Sequence, residues 1–524
     1  MPRTSAHLLP LTLAAGLLLV HTHSTLAEAP YAVEWIRQLG TTGVDWGRAV
    51  AVDGSGNAFI SGTTTGQLAG PHAGISDAFV IKYDASGTAL WAEQIGSSHS
   101  DDSYGVAVDG SGNVFVSGST LGSLDGPSAG SRDIYLAKLS SSGQTLWTRQ
   151  HGTADFDEAY SVAVDGFGNA YVTGTYSVPT TGVSEPLLVK YDPSGILLWS
   201  QHIDTNPFTE SGDGVAVDGA GNVYITGSVI TYEAEETPDN PDPSNADALL
   251  TKLDSSGNLL WTQQIGSSSH EYSNAVALDS FDNVFIAGHT KGSYGEPNAY
   301  DQDAFLIKLD SSGNTLWSRQ LESSSYEYCY SVAVDGYGNA FIAGSTTGDL
   351  GGPNAGRSDA YVAKFDGFGN VLWTLQFGTT RSDDARSVAV DDSGNVYIAG
   401  DTFGSFGGPN AGSFDMFLLK LSAPDHPTGD VNFDGTVNAL DLSILSSNWL
   451  QTMPGGPAVG DINTDGTVNA LDLSLLAGNW LVGSSDGDVS FDHSLASIGL
   501  IGIPEPATAI LLCAGGAIML RRRR

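Results

Sequence analysis

Seven tryptophans, Trp35, Trp91, Trp147, Trp199, Trp261, Trp317 and Trp373, recur at intervals of 56, 56, 52, 62, 56 and 56 residues, and each opens a copy of the same segment. A fixed period of this length, built from short apolar runs and glycine turns, specifies a propeller or a solenoid of equivalent units. Each copy holds four runs of period-two alternation. In the first full copy these are Val50-Ala51-Val52, Ala58-Phe59-Ile60, Ala78-Phe79-Val80-Ile81 and Leu90-Trp91-Ala92, so one copy predicts one four-stranded blade. Asp53-Gly54-Ser55-Gly56-Asn57 and Asp84-Ala85-Ser86-Gly87 supply glycine-bearing hairpins between them. Counted from the VAVD strand, the seventh blade, beginning at Val388, has only three strands before Leu421. The orphan run Glu34-Trp35-Ile36-Arg37-Gln38 supplies the fourth. The expected fold is all-β, a seven-bladed propeller over residues 34–421, closed by its N-terminal strand so that no sheet edge is left open.

The tight hairpins belong to one face of such a ring and the longer, more variable loops to the other, so recognition is expected on the long-loop face. Two acids recur there. The first stands five residues before the first valine of each VAVD strand: Asp45, Asp101, Asp157, Glu210, Glu271, Glu327 and Asp383. The second stands five residues before the third-strand lysine: Asp77, Asp133, Glu185, Asp247, Asp303, Asp359 and Asp415. Clustered hard oxygens on loops suit a cation such as Ca²⁺. Carboxylates that accept backbone N–H groups where a loop enters a strand give the same pattern, and seven equal copies favour that second origin. The lysines, Lys82 and its six equivalents, read as partners of acids inside each blade, and the tryptophans as packing between blades. Copies three and four depart from the pattern at Gly174 to Pro186 and at Tyr232 to Asp247, the latter acidic and proline-rich. No histidine pair has metal-ligand spacing and no serine sits in a nucleophile elbow, so no catalytic residue is nominated.

Acidic side chains number 59 against 21 basic ones, a net charge of -38. Nucleic acid, which needs a positive face to displace its counterions, is excluded as a partner. Arg3, the apolar run Leu8 to Val20 and the ending Thr25-Leu26-Ala27 form a leader over residues 1–27, which predicts export through the Sec pathway. Two cysteines, Cys329 and Cys513, lie too far apart in kind and place for a disulfide framework.

Past the linker at 422–429, two copies 31 residues apart read GDVNFDGTVNALDLSILSSNWL and GDINTDGTVNALDLSLLAGNWL. Asp430, Asn432, Asp434, Asn438 and Asp441 fall at loop positions 1, 3, 5, 9 and 12, with Gly435 at the sharp turn and the Thr436 carbonyl at position 7. Asp461, Asn463, Asp465, Thr467, Asn469 and Asp472 repeat the set, so two Ca²⁺ sites are expected. Leu442, Leu445 and Trp449, like Leu473, Leu476 and Trp480, then follow at one-face helical spacing.

Three stretches resemble known families. The VAVD-G-x-G-N pattern, as in Val106 to Gly118 and Val332 to Gly344, resembles the bacterial β-propeller repeat known as SBBP, which implies the fold and little about activity. The segment 430–483, with only the exiting helix after each loop, resembles a type I dockerin. Dockerins dock on cohesins in polysaccharide-degrading assemblies, which implies a cohesin-like partner. The usual Ser-Thr recognition pair is replaced here by Ala439-Leu440 and Ala470-Leu471. The C-terminus, Pro504-Glu505-Pro506, the apolar Ala507 to Leu520 and four arginines, resembles the PEP-CTERM sorting signal, which implies exosortase-type processing after a linker at 484–502, and a membrane contact through residues 503–524. Together these stretches lead to the expectation of an exported cell-surface or matrix protein, a non-catalytic binding module for exopolysaccharide or a surface protein. A polysaccharide-degrading enzyme and a purely structural scaffold are the alternatives.

Overall fold

The computed structural model describes residues 31–178, 183–203, 209–232, 244–267, 269–293 and 302–423, with five single positions beyond them, Val437, Leu442, Leu445, Leu473 and Leu476. The described chain is a ring of seven antiparallel sheets, six of them ordered from the axis outward as in the sequence and the seventh completed on its outer edge by the N-terminal strand. The first blade runs Asp45–Val52, Ala58–Thr64, Asp77–Tyr83 and Ala89–Ile95. Its two middle strands are buried along their whole length, because neighbouring blades cover both faces of the sheet. The period-two alternation expected of these two runs is therefore not their burial pattern, because both of their faces are covered. The core accordingly lies between blades. Phe59 and Val80 of the first pack against Val106, Val116 and Tyr135 of the second, and the same layer recurs around the ring.

Closure is as expected. Ala32–Leu39 pairs antiparallel with Asp415–Ser422, from Ala32 opposite Ser422 to Leu39 opposite Met416. The first strand begins two residues before the expected edge and the last ends one residue after it. Tyr31 extends the seal: its hydroxyl donates to the Gly394 carbonyl at 3.0 Å and its ring lies 4.9 Å from that of Trp373.

The tryptophans join blades. Trp35 Nε1 donates to the Ala85 carbonyl and Trp91 Nε1 to that of Ser141, both at 3.0 Å and both in the outer hairpin of the next blade. The hairpin glycine is required twice over. Gly87 has φ +76°, and a Cβ there would sit 2.7 Å from the Trp35 indole. The lysines also reach across. Lys138 lies 3.6 Å from Asp109 in its own blade, donates to the Pro193 carbonyl of the next at 3.2 Å, and stands 4.6 Å over the Phe115 ring. The acid partner was expected; the link between blades was not.

Of the terminal regions, the leader at 1–27, the sorting motif Pro504-Glu505-Pro506 and the twelve loop ligands from Asp430 to Asp472 lie outside the described residues. Val437, at loop position 8, is fully buried, as are Leu442, Leu445, Leu473 and Leu476. Those four leucines are helical, in keeping with their spacing. Among the described residues no helix is long and apolar enough to cross a membrane.

Candidate functional site: the axial channel

The first strands of the blades pack on one another around the axis, and their ladders with the second strands share an irregularity. In six blades the pairing skips one residue: between Gly47 and Ala49, Ser103 and Gly105, Ala159 and Ser161, Ser273 and Ala275, Cys329 and Ser331, and Ala385 and Ser387. The skipped residues are Arg48, Tyr104, Tyr160, Asn274, Tyr330 and Arg386. A bulge of this kind frees one residue from the ladder and re-aims its side chain. In the fourth blade the first strand is divided into Thr209–Glu210 and Gly214–Val217, and Asp213 takes the equivalent place. All seven side chains line one cavity of about 220 Å³.

The expected long-loop acids stand three residues earlier and behave differently. Asp45, Asp101, Asp157, Glu271, Glu327 and Asp383 are fully buried. Asp101 accepts the Ser97 N–H at 2.5 Å, the Ser97 hydroxyl at 2.9 Å and the Thr120 hydroxyl. Glu327 accepts the Ser323 N–H at 2.9 Å, the Ser323 hydroxyl and the Thr346 hydroxyl at 2.8 Å. Each ties the loop entering a blade to that blade's second strand. Burial pushes the carboxyls of Asp45, Asp101, Asp157, Glu327 and Asp383 upward, and these donors oppose it. Glu210 pairs with Val229 on the short strand piece. In the second set, Asp77 accepts the Ala73 N–H and the Gln94 side-chain amide, both at 2.7 Å, and Asp133 and Asp359 repeat the arrangement. Among the described residues no group of three or more His, Cys, Asp or Glu is placed to hold a metal ion.

Above the bulge ring, the channel wall divides into unlike sectors. Within blade seven, Arg386 binds Asp384 at 2.7 Å and Asp401 at 3.1 Å, and lies 4.8 Å over the Tyr330 ring of blade six. Burial works against its charge, and the two carboxylates outweigh burial and raise its pKa. Arg48 stacks 4.9 Å over Trp46. Between blades two and three, Arg132 joins Asp102, at 3.4 Å, to Glu158. Glu158 also accepts the Tyr160 hydroxyl at 2.7 Å, and Tyr104 meets Tyr160 edge to face at 5.9 Å. Blades five and six give an aromatic wall. Tyr272 stacks on His289 at 5.2 Å, His289 meets Tyr328 at 5.2 Å, and Tyr328 stacks on Tyr330 at 6.2 Å. Burial lowers His289 to about 4, with a smaller contribution from Lys291, so the ring is neutral at physiological pH. Burial raises Asp213 to about 7 against one hydrogen bond from Ser211 at 2.8 Å.

None of these channel residues was singled out from sequence. The available signal was a column that reads Arg, Tyr, Tyr, Asp, Asn, Tyr and Arg, three places after an invariant acid. Aromatic faces, paired arginine–carboxylate groups and neutral hydroxyls around a small polar cavity can bind a hydroxyl-rich ligand by stacking and paired hydrogen bonds.

Comparison with known proteins agrees on the two building blocks. Residues 34–68, 90–125, 146–175, 260–295, 316–351 and 372–407 match the model of the SBBP beta-propeller repeat, and residues 428–479 match the dockerin type I domain. The copy with the divided strand is not among the matched ranges. An uncharacterized WD repeat-containing protein of Acanthamoeba polyphaga mimivirus, L264, is 21% identical over 503 residues, covering 70% of this chain and 36% of that protein. The regulatory protein FlaEY of Caulobacter vibrioides is 27% identical over 141 residues, covering 24% of this chain and 15% of its own. The chain thus spans about a third of the first relative's length and about a sixth of the second's. Among solved structures it is similar to an ulvan lyase bound to a saccharide, with TM-score 0.47, 10% identity, and 74% of this chain and 96% of that one covered. The WD40 domain of Neurospora crassa Pan2 gives TM-score 0.42, 11% identity and coverage of 75% and 97%. At such identities and scores the likeness says nothing of activity. The chain is a seven-bladed propeller in which six segments match the SBBP beta-propeller repeat, with a dockerin type I match at residues 428–479.

Proposed function

We propose that this protein is an exported, non-catalytic binding module that holds exopolysaccharide at the long-loop mouth of its axial channel. The observation that carries this reading is the mouth itself: a sevenfold scaffold presents two arginines, three tyrosines, an aspartate and an asparagine around one polar cavity, flanked by tyrosine stacks. A leader at the N-terminus and the apolar, arginine-ended C-terminus support export and retention at the cell surface. The dockerin domain supports attachment to a cohesin-like partner or a calcium-stiffened spacer. Dockerin type I domains typically bind calcium, and the donor set of Asp, Asn and one backbone carbonyl per loop suits that hard cation. Buried Val437 and the helical, buried leucines after each loop fit the same frame.

The test is an array of bacterial and algal polysaccharides probed with the secreted chain in calcium. Retained binding without new reducing ends is expected. New reducing ends would make the protein an enzyme, and a silent array would move the site to a protein partner or leave a scaffold.

A further inference from the structure

Arg48 differs from the other arginines of the channel. Arg386 and Arg132 each contact two carboxylates. Among the described residues Arg48 forms no ion pair with a carboxylate, its Nε is buried with no hydrogen-bond partner, and its guanidinium lies 4.9 Å from the centroid of the Trp46 ring. Burial lowers the pKa of its guanidinium, and the field of Asp401 only partly offsets this. Arg48 is half-buried, and a guanidinium without the paired carboxylates that its neighbours hold keeps N–H groups free for an anionic ligand. Two other polar groups at this level are occupied. Asn274 donates to the Cys329 carbonyl at 2.6 Å and Tyr330 shares a hydrogen bond with Ser345 at 3.3 Å.

We propose that Arg48 is the anchor for a carboxylate-bearing sugar, a uronic acid residue seated in the axial cavity with its carboxylate on the guanidinium and its ring against the tyrosines beside it. The inference rests on the polysaccharide reading above and names its ligand class. A planar guanidinium stacked on an indole is already fixed in orientation, so its N–H groups meet a carboxylate as a bidentate pair at little entropic cost. The cavity of about 220 Å³ has room for a single pyranose ring. The chain's net charge of -38 opposes the approach of a long polyanion. The ligand is therefore a single acidic residue at a chain end or on a branch.

The experiment is calorimetric titration of the full secreted chain with glucuronate, galacturonate, their methyl esters and the neutral parent sugars, repeated with Arg48→Met and Arg48→Lys. Met keeps the stem over Trp46 without the charge. Expected are binding of a free uronate, loss of at least about tenfold on esterification or in Arg48→Met, partial recovery in Arg48→Lys, and a melting temperature of Arg48→Met equal to or above that of the parent. Equal binding of uronate and neutral sugar, unchanged uronate binding by Arg48→Met, or no uronate binding at all would overturn the proposal. The polysaccharide array separates the two levels. An active array whose profile Arg48→Met leaves intact removes the anchor and keeps the module, whereas uronate capture beside a silent array keeps the anchor and removes the polymer.

Discussion

Two rings of side chains, three residues apart on the same seven strands, obey opposite rules. Six acids at the strand entrances, Asp45, Asp101, Asp157, Glu271, Glu327 and Asp383, are nearly identical, fully buried and bound to serine or threonine donors in blade after blade. The bulged residues next along are all different in setting and point into shared space. Repetition here marks what each blade needs in order to stand. Variation, on a backbone that does not vary, marks what the ring presents.

That contrast can be broken most severely at the acids. Asp101→Ala leaves the Ser97 N–H and two hydroxyls without an acceptor, and is expected to cost about 3 kcal/mol or more, read by thermal melting. Asp383→Ala should cost the same within about 1 kcal/mol, because distant equivalent sites act independently; a large disparity between blades would remove the equivalence. Next in size is Asp213→Asn. Its folded pKa of about 7 lies above the usual carboxylate value near 3.8, so the native state binds the extra proton and stability falls as pH rises between those values. The Asn variant should therefore match the parent near pH 4, gain on it up to about pH 7, and hold a constant lead above that. A lead already complete at pH 4 would contradict the raised carboxyl. His289→Phe works in the other sense. With the folded pKa near 4, the parent loses stability as pH falls from about 6.5, and the variant should lose less over that window. Smaller again is Trp91→Phe, which removes the bond to Ser141 and part of the packing and should cost about 1 to 2 kcal/mol. Tyr104→Phe, in the variable ring, should move stability by less than about 0.5 kcal/mol while changing ligand binding.

Blade count, the strand order and the closing role of Glu34 to Gln38 were legible because tryptophan, glycine hairpin and VAVD run recur together. The extension to Ala32 and Tyr31 was not, since Tyr31 belongs to no repeat and acts only through Gly394 and Trp373. The acids were legible as a set, and their two hydrogen-bond anchors required coordinates, because Thr120 is nineteen residues from Asp101. The channel ring escaped for a physical reason. A bulge breaks period-two alternation at one residue without leaving a compositional mark, so Arg48 and Arg386 read as ordinary polar positions of a strand. The linkage of Lys138 to Pro193 escaped because it joins different copies of the repeat.

The pairing of Ala32 with Ser422 also governs how the chain can be born. A strand made first has its partner 390 residues downstream, and bringing such ends together in a free coil costs about 5 kcal/mol by the logarithmic rule. Six blades assembled in order carry the two ends toward each other and remove most of that cost. Until the last strand emerges, however, the seventh sheet exposes an unpaired edge, the geometry most prone to misassociation. Final maturation is thus a late step set by the arrival of residues 415–422, and folding speed should depend on that segment far more than on any single blade.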